Sequence, residues 1–145
     1  MSLAGKTAVI TGSGRGIGRG IALALAAQGC NIGVNFVRRR SEAEQTATAI
    51  EALGVKAAVI KANVGKEEEV HALIDEAAAQ LGGVDILVGN AASGVLKPVM
   101  EIDDRAWDWS MNINAKSILW GAQAAVPYMR RKGWGRIISI TSIGG

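Results

Sequence analysis

The sequence has little cysteine and no long apolar run, and both shortages exclude classes of protein. Cys30 is the only cysteine among 145 residues, so neither an internal disulfide nor a cysteine-rich metal site can form, and no metal is predicted. A reducing, cytoplasmic location is therefore expected. No stretch approaches the roughly 18 continuous apolar residues of a membrane span, and the N-terminus lacks a signal-type segment.

An excess of charge of one sign is also missing. The chain carries 16 basic and 13 acidic residues, for a net charge of +3, and no basic run is interleaved with aromatic residues. This balance argues against nucleic-acid binding. Hydrophobic residues make up 49% and charged residues 20%, as in ordinary globular proteins. The length fits a single domain, predicted to span residues 1–145.

Short β-branched runs alternate along the chain with longer segments of helical period. The predicted strands are Thr7–Ile10, Ile32–Phe36, Ala57–Ile60, Ile86–Val88 and Arg136–Ile140. The predicted helices are Gly16–Gln28, Glu42–Leu53, Glu67–Leu81 and Asp104–Arg131, with Ser41 and Asp103 as N-caps. Apolar strands separated by helices predict an α/β fold, a doubly wound parallel sheet in strand order 3-2-1-4-5.

The stretch TGSGRGIG, residues 11–18, lies at the first predicted strand-to-helix turn. Its glycines fit the pattern T-G-x-x-x-G-x-G and not G-x-G-x-x-G. Main-chain N–H groups and the positive end of the helix dipole meet at such a turn, which suits an anion. Side chains on Gly12, Gly16 or Gly18 would hold a phosphate away from the backbone or separate helix from strand. The stretch therefore predicts a phosphate-binding turn.

Four motifs in this order resemble the short-chain dehydrogenase/reductase family across all 145 residues. They are the glycine motif, Asn63-Val64, Asn90-Ala91-Ala92 and Asn114. The resemblance implies a Rossmann domain that binds a nicotinamide cofactor, with Asn114 and Ser142 as catalytic residues. The cofactor-binding residues implied by it are Gly12, Ser13, Arg15, Gly16, Ile17, Gly18, Arg38, Asn63, Val64, Asn90, Ala91 and Ala92.

The end of the second predicted strand bears on the choice of nicotinamide cofactor. Dinucleotide folds often have an acid there that binds the ribose hydroxyls, but Phe36 occupies that position. With no carboxylate to repel a 2′-phosphate, Arg15 and Arg38 are predicted to hold it by charge-assisted hydrogen bonds. NADPH is therefore favoured over NADH. Arg39 and Arg40 are interpreted as a solvated basic loop.

A polar residue interrupts an apolar stripe on the last predicted helix. Asn114 falls near one face with Trp107, Met111 and Ile118 at 3.6-residue spacing. A buried amide without partners is costly, so Asn114 is expected to be bonded. It is either a structural residue bound to neighbouring backbone or, as the family resemblance implies, the anchor of a water in the proton relay.

Tyr128 and Lys132 form a Y-x-x-x-K pattern, but it precedes the strand that carries Ser142. In the family the catalytic tyrosine and lysine follow that serine, so we interpret the pattern as a coincidence. On this reading the chain is an incomplete Rossmann domain without its proton donor, and it is inactive alone. It is also expected to expose an apolar edge at Arg136–Ile140.

Two further stretches narrow the resemblance. Residues 90–101 and 107–116, together with Asn63, look like NADPH-dependent enoyl-acyl-carrier-protein reductases of the third type. This implies reduction of the 2,3 double bond of an acyl-carrier-protein thioester in fatty-acid synthesis, by a homodimer or homotetramer. The alternative is a 3-oxoacyl-acyl-carrier-protein reductase or another short-chain keto-reductase, which shares every cofactor motif. A non-catalytic NADPH-binding module is an alternative of another class.

Overall fold

Residues 2–142, the part of the chain that the computed structural model describes, contain five strands and five helices. The strands are β1 (Thr7–Ile10), β2 (Asn31–Phe36), β3 (Ala57–Lys61), β4 (Ile86–Gly89) and β5 (Arg136–Ser139). The helices are α1 (Gly16–Ala27), α2 (Arg40–Glu51), α3 (Glu67–Leu81), α4 (Asp104–Met111) and α5 (Ser117–Arg131). A 3₁₀ turn, Val99–Glu101, precedes α4, and a π-helical turn, Asn112–Lys116, joins α4 to α5.

The strands form one parallel sheet in the order β3-β2-β1-β4-β5. In the register of the central strand, Val9 pairs with Gly33 on one side and with Leu87 on the other. The predicted α/β fold and strand order are confirmed. Because the chain leaves β1 towards β2 on one side and returns to β4 on the other, the carboxyl ends of β1 and β4 flank a crevice.

Both faces of β1, β2 and β4 are covered, which explains why these strands read as continuous apolar runs. Alternate residues of β1 point to opposite faces. Ile10 packs with apolar residues of α1 and α2, including Ile50. Val9 packs on the other face with residues of α3 and α5, including Leu73 and Met129.

The start of α4 and the end of α3 agree with the predictions, whereas the bounds of α2 differ and the single predicted helix Asp104–Arg131 is divided by the π-helical turn. The Asp103 carboxylate accepts a hydrogen bond from the Ala106 main-chain N–H at 2.8 Å, as expected of an N-cap. Gly82, with φ of 85°, ends α3 in the left-handed conformation. The Ser41 N-cap prediction is wrong, because α2 begins at Arg40 and its N-cap residue, Arg39, makes no side-chain cap bond.

The last strand lies at the edge of the sheet. Ile137, Ile138 and Ile140 are 43%, 45% and 41% exposed, which confirms the expected apolar edge in the described part of the chain. Within residues 2–142, no helix has both the length and the apolar character needed to cross a bilayer.

Candidate functional site

The glycine turn between β1 and α1 requires glycine for two reasons, a left-handed backbone at Gly12 and Gly16 and a close approach at Gly18. Gly12 and Gly16 have φ of 65° and 56°, a region that other L-residues rarely adopt. A Cβ atom on Gly18 would lie 2.5 Å from the carbonyl oxygen of Gly12 and 2.6 Å from Nδ2 of Asn90. The first turn of α1 can therefore pack against the end of β1, and its main-chain N–H groups stay accessible to an anion.

Asn35 in β2 fixes the position of the glycine turn by a side-chain hydrogen bond. It is 1% exposed, and its Oδ1 accepts a hydrogen bond from the Gly12 N–H at 3.0 Å. Its Nδ2 donates to the carbonyl of Ala62, beyond β3, at 3.1 Å. One buried amide therefore ties the turn, β2 and the end of β3 together. Asn35 is not among the residues predicted from the sequence, although a polar residue within an apolar strand is a signal for such a role.

Ser13, predicted to bind the cofactor, has its hydroxyl committed to the fold. It is 0% exposed, and its Oγ donates to the Ile10 carbonyl at 2.7 Å and accepts the Asn35 N–H at 3.1 Å. Its side chain therefore supports the turn. Ile17, another predicted cofactor residue, lies in the first turn of α1 and is 70% exposed.

Thr11 joins the carboxyl end of β1 to that of β4. Its Oγ1 accepts hydrogen bonds from the N–H groups of Asn90 and Ala91, both at 2.9 Å. The Asn90 side chain returns a bond from Nδ2 to the Thr11 carbonyl at 2.9 Å. These bonds place the small residues Ala91 and Ala92 beside the glycine turn.

A groove of about 460 Å³ runs along the carboxyl ends of β1, β2 and β3. It brings together seven of the predicted cofactor residues, Gly12, Arg15, Arg38, Asn63, Val64, Ala91 and Ala92. Ser13, Gly16, Ile17, Gly18 and Asn90 do not line it. Of these, Asn90 and Gly18 still shape the groove, since they pack against the residues that do.

Three arginines and one glutamate lie at the β2 end of the groove. Arg38 and Arg39 line it with Arg15, so the interpretation of Arg39 as part of a solvated loop is incomplete. The prediction that no carboxylate lies near this position is wrong for the folded chain. Glu42, from the first turn of α2, reaches the groove and lies 2.8 Å from Arg39 Nη1 and 3.8 Å from Arg15 Nε.

The turn after β3 is fixed by a glutamate that is not among the residues predicted from the sequence. Glu69 of α3 accepts the Asn63 N–H at 2.6 Å and pairs with Lys66 Nζ at 2.9 Å. The hydrogen bond from Asn63, followed by the one from Lys66, lowers the pKa of the Glu69 carboxyl. The Asn63 side chain caps the same turn, because its Oδ1 accepts the Gly65 N–H at 3.0 Å.

A second cavity, of about 520 Å³, contains both predicted catalytic residues. Asn114 and Ser142 line it together with Gly89 and residues 139–141. Ala91 and Ala92 line this cavity and the groove alike, so the two spaces adjoin. A long ligand held in the groove could therefore extend towards Asn114 and Ser142.

The expectation that Asn114 is a buried residue on an apolar stripe is wrong. Asn114 is exposed, and Trp107 and Met111 are 61% and 39% exposed. No residue of α4 is buried, and Asn114 lies in the π-helical turn after it, which departs from the 3.6-residue period that predicted the stripe. The expected bonding is present: Oδ1 accepts the Ser93 N–H at 3.0 Å, and Nδ2 donates to the Ser93 carbonyl. Two bonds to one residue fix the amide plane.

Tyr128 and Lys132 both bind carboxylates outside the groove and the second cavity. The Tyr128 hydroxyl donates to Asp75 of α3 at 2.7 Å, and this bond raises the pKa of the phenol. Lys132 Nζ lies 2.9 Å from Asp85, which immediately precedes β4 and so lies at the opposite end of the sheet. These contacts agree with the interpretation of the Y-x-x-x-K pattern as a coincidence.

Sequence comparisons find relatives that align with almost the whole of this chain. The chain is 41% identical over 140 residues to a 3-oxoacyl-[acyl-carrier-protein] reductase of Staphylococcus epidermidis, covering 97% of this chain and 57% of that protein. It is 39% identical over 142 residues to a hydroxynaphthalene reductase-like protein of Metarhizium brunneum, covering 98% and 52%. The chain thus spans little more than half the length of these relatives.

Solved structures give the same fold. A double mutant of a Serratia marcescens short-chain dehydrogenase/reductase superposes with a TM-score of 0.91 at 31% identity, covering 99% of this chain and 58% of that one. A short-chain type dehydrogenase/reductase of Mycobacterium marinum gives 0.89 at 32% identity, with coverages of 99% and 58%. The family model described as short chain dehydrogenase matches residues 6–145. The chain therefore belongs to the short-chain dehydrogenase family.

Proposed function

We propose that this chain forms the cofactor-binding part of an NADPH-dependent reductase of 3-oxoacyl thioesters carried by an acyl carrier protein. The observation that carries the cofactor assignment is the groove with Arg15, Arg38 and Arg39 at its β2 end and Phe36 where an acid would bind ribose. Phosphate esters favour guanidinium partners, which bind them through paired N–H donors.

The glycine turn fits the rest of a dinucleotide. A Cβ atom on Gly12 would lie 3.2 Å from Ala91, and the close contacts of Gly18 leave only backbone at this point. A pyrophosphate could therefore approach the N-terminus of α1 directly. When bound, NADPH supplies the hydride. The chain supplies the groove that binds and orients the cofactor, and the polar groups of the adjoining second cavity.

Asn114 and Ser142 are the residues that we assign to the substrate side. The Ser142 hydroxyl, in the second cavity, is proposed to donate to the carbonyl oxygen of the substrate, where negative charge develops on reduction. Asn114, fixed by Ser93, is proposed to hold a water for proton transfer. Tyr128 is not assigned the proton transfer, because its hydroxyl is bonded to Asp75.

The relatives named above favour the 3-oxoacyl alternative over the enoyl reductase that the motif resemblance indicated. A 3-oxoacyl-[acyl-carrier-protein] reductase is 41% identical to this chain, and the enoyl assignment receives no specific support from these comparisons. The expected acyl-carrier-protein partner is retained in this proposal, and the homo-oligomer stays a prediction.

The test is NADPH oxidation by the complete protein, followed with a 3-oxoacyl thioester and, in parallel, with a crotonyl thioester. We expect turnover of the 3-oxo substrate, and a large loss of turnover on Ser142→Ala with cofactor binding retained. Preference for the crotonyl substrate would restore the enoyl assignment. Binding of NADPH without turnover of either thioester would support the non-catalytic module.

A further inference from the structure

Glu42 is the one acidic side chain among the described residues that line the groove. It extends from the first turn of α2, beyond the strand-end position where dinucleotide folds often place their ribose-binding acid. Its Oε1 lies 2.8 Å from Arg39 Nη1. Its Oε2 lies 3.8 Å from Arg15 Nε, too far for a hydrogen bond.

The two carboxylate oxygens of Glu42 differ in hydrogen bonding. Oε1 is bonded to Arg39. Oε2 is shielded from solvent and accepts no hydrogen bond within residues 2–142. A shielded carboxylate oxygen without a donor is unfavourable, and a ligand hydroxyl entering the groove would satisfy it. Arg38, in contrast, pairs with no carboxylate in the described part of the chain and remains available to an anion.

The position of α2 is set independently of this carboxylate. The Thr46 hydroxyl lies 2.9 Å from the carbonyl of Gly14, which links α2 to the glycine turn. Ala43 of α2 packs against Gly14, since a Cβ atom added to Gly14 would lie 3.4 Å from the Cα and Cβ atoms of Ala43. A change of the Glu42 side chain should therefore leave the helix and the groove in place.

We propose that Glu42 limits the preference of this protein for NADPH over NADH. The inference rests on the proposed function, because it assumes that the 2′-position of an adenosine ribose reaches the arginines. A 2′-phosphate carries about −1.5 to −2 charge near neutral pH, and it must displace Glu42 from Arg15 and Arg39 and then lie beside a like charge. A ribose 2′-hydroxyl instead can donate to the unsatisfied Oε2.

The test is binding of NADPH and of NADH to the complete protein, measured by nicotinamide fluorescence titration. We expect Glu42→Gln to tighten NADPH roughly fivefold, the upper end for loss of one exposed ion pair. Binding of NADH should stay unchanged or weaken, so the preference for NADPH rises. Glu42→Asp, which keeps the charge on a shorter side chain, should give a smaller rise.

Glu44→Gln is the matched control, since it removes the same charge from the same helix. Glu44 pairs with Arg40 at 3.3 Å and does not line the groove. If Glu42→Gln and Glu44→Gln change the ratio of the two dissociation constants equally, or if NADPH weakens, the inference is overturned. Circular dichroism of each variant verifies that folding is intact.

The outcomes separate this inference from the proposed function. A rise in NADPH preference without turnover of a 3-oxoacyl thioester supports the role of Glu42 and overturns the proposed reaction. Turnover of that thioester, with a cofactor preference that Glu42→Gln leaves unchanged, supports the proposed reaction and overturns the role of Glu42. A wild-type protein that binds neither dinucleotide overturns both.

Discussion

The Tyr128 hydroxyl donates a hydrogen bond to Asp75 at 2.7 Å, joining α5 to α3 on the sheet face away from α1 and α2. The Arg131 guanidinium lies over the Tyr128 ring, 4.5 Å from its centre. The bond to Asp75 raises the pKa of Tyr128, which opposes formation of a phenolate. A proton donor in a reductase cycle needs instead a pKa close to the working pH.

Tyr128→Phe in the complete protein should therefore leave turnover nearly unchanged. The variant loses one exposed hydrogen bond, so its melting temperature should fall slightly. Asp75→Asn is the matched control and should have the same small effect on stability and none on the rate. Steady-state kinetics and thermal denaturation measure both quantities. A drop in turnover of a hundredfold or more in Tyr128→Phe alone would assign this tyrosine to the chemistry.

The strand pattern predicted the sheet because buried parallel strands must be apolar on both faces. The charged groups at the groove were harder to find. Glu42 and Glu69 lie on helices, and only the packing of α2 and α3 brings them to the ends of β2 and β3. Similarly, a 3.6-residue period cannot predict the π-helical turn in which Asn114 lies. Local sequence specified the elements, whereas contacts between elements completed the site.

Arg38→Asp should weaken the binding of NADPH far more than that of NADH. Arg38 lines the groove and has no carboxylate partner among residues 2–142, so it can give its full charge to a phosphate. Loss of a charge-assisted contact and addition of a like charge should cost roughly 2–3 kcal/mol, or about 30- to 150-fold in affinity. Fluorescence titration with each cofactor measures the effect.

Arg40→Asp is the control for that substitution. Arg40, the first residue of α2, lies two residues from Arg38, but it pairs with Glu44 and does not line the groove. It should change the affinities for both cofactors little and alike. Equal weakening of NADPH and NADH by Arg38→Asp would mean that Arg38 does not recognise the phosphate.

Glu69→Gln should lower thermal stability near neutral pH. Glu69 accepts the Asn63 N–H at 2.6 Å as a carboxylate, and its pKa is lowered first by that bond and then by Lys66. A carboxyl whose pKa is lowered on folding stabilises the native state above its unfolded pKa, and this contribution is lost as the pH falls through the folded value. The difference in melting temperature should therefore shrink below the ordinary glutamate range.

Glu68→Gln is a suitable comparison for the pH series, since Glu68 neighbours Glu69 in the same first turn of α3. It makes no hydrogen bond to the Asn63 turn. The melting temperature of the Glu68→Gln variant should depend on pH as that of the wild type does. A difference between wild type and Glu69→Gln that stayed constant from neutral to acidic pH would exclude the charged form as the stabilising one.

Gly18→Ala and Gly20→Ala should act in opposite directions, although both replace a glycine of α1 by the best helix former. Alanine at position 20 meets no atom within 4 Å, so it should stabilise the protein by about 0.5–1 kcal/mol. Alanine at position 18 would place Cβ 2.5 Å from the Gly12 carbonyl oxygen and 2.6 Å from Asn90 Nδ2. The glycine turn would have to move, at a cost of roughly 1–3 kcal/mol or more. Urea denaturation should show both shifts, and NADPH affinity should fall only in Gly18→Ala. If both variants bind NADPH like the wild type, Gly18 is needed for the packing of α1 and not for cofactor binding.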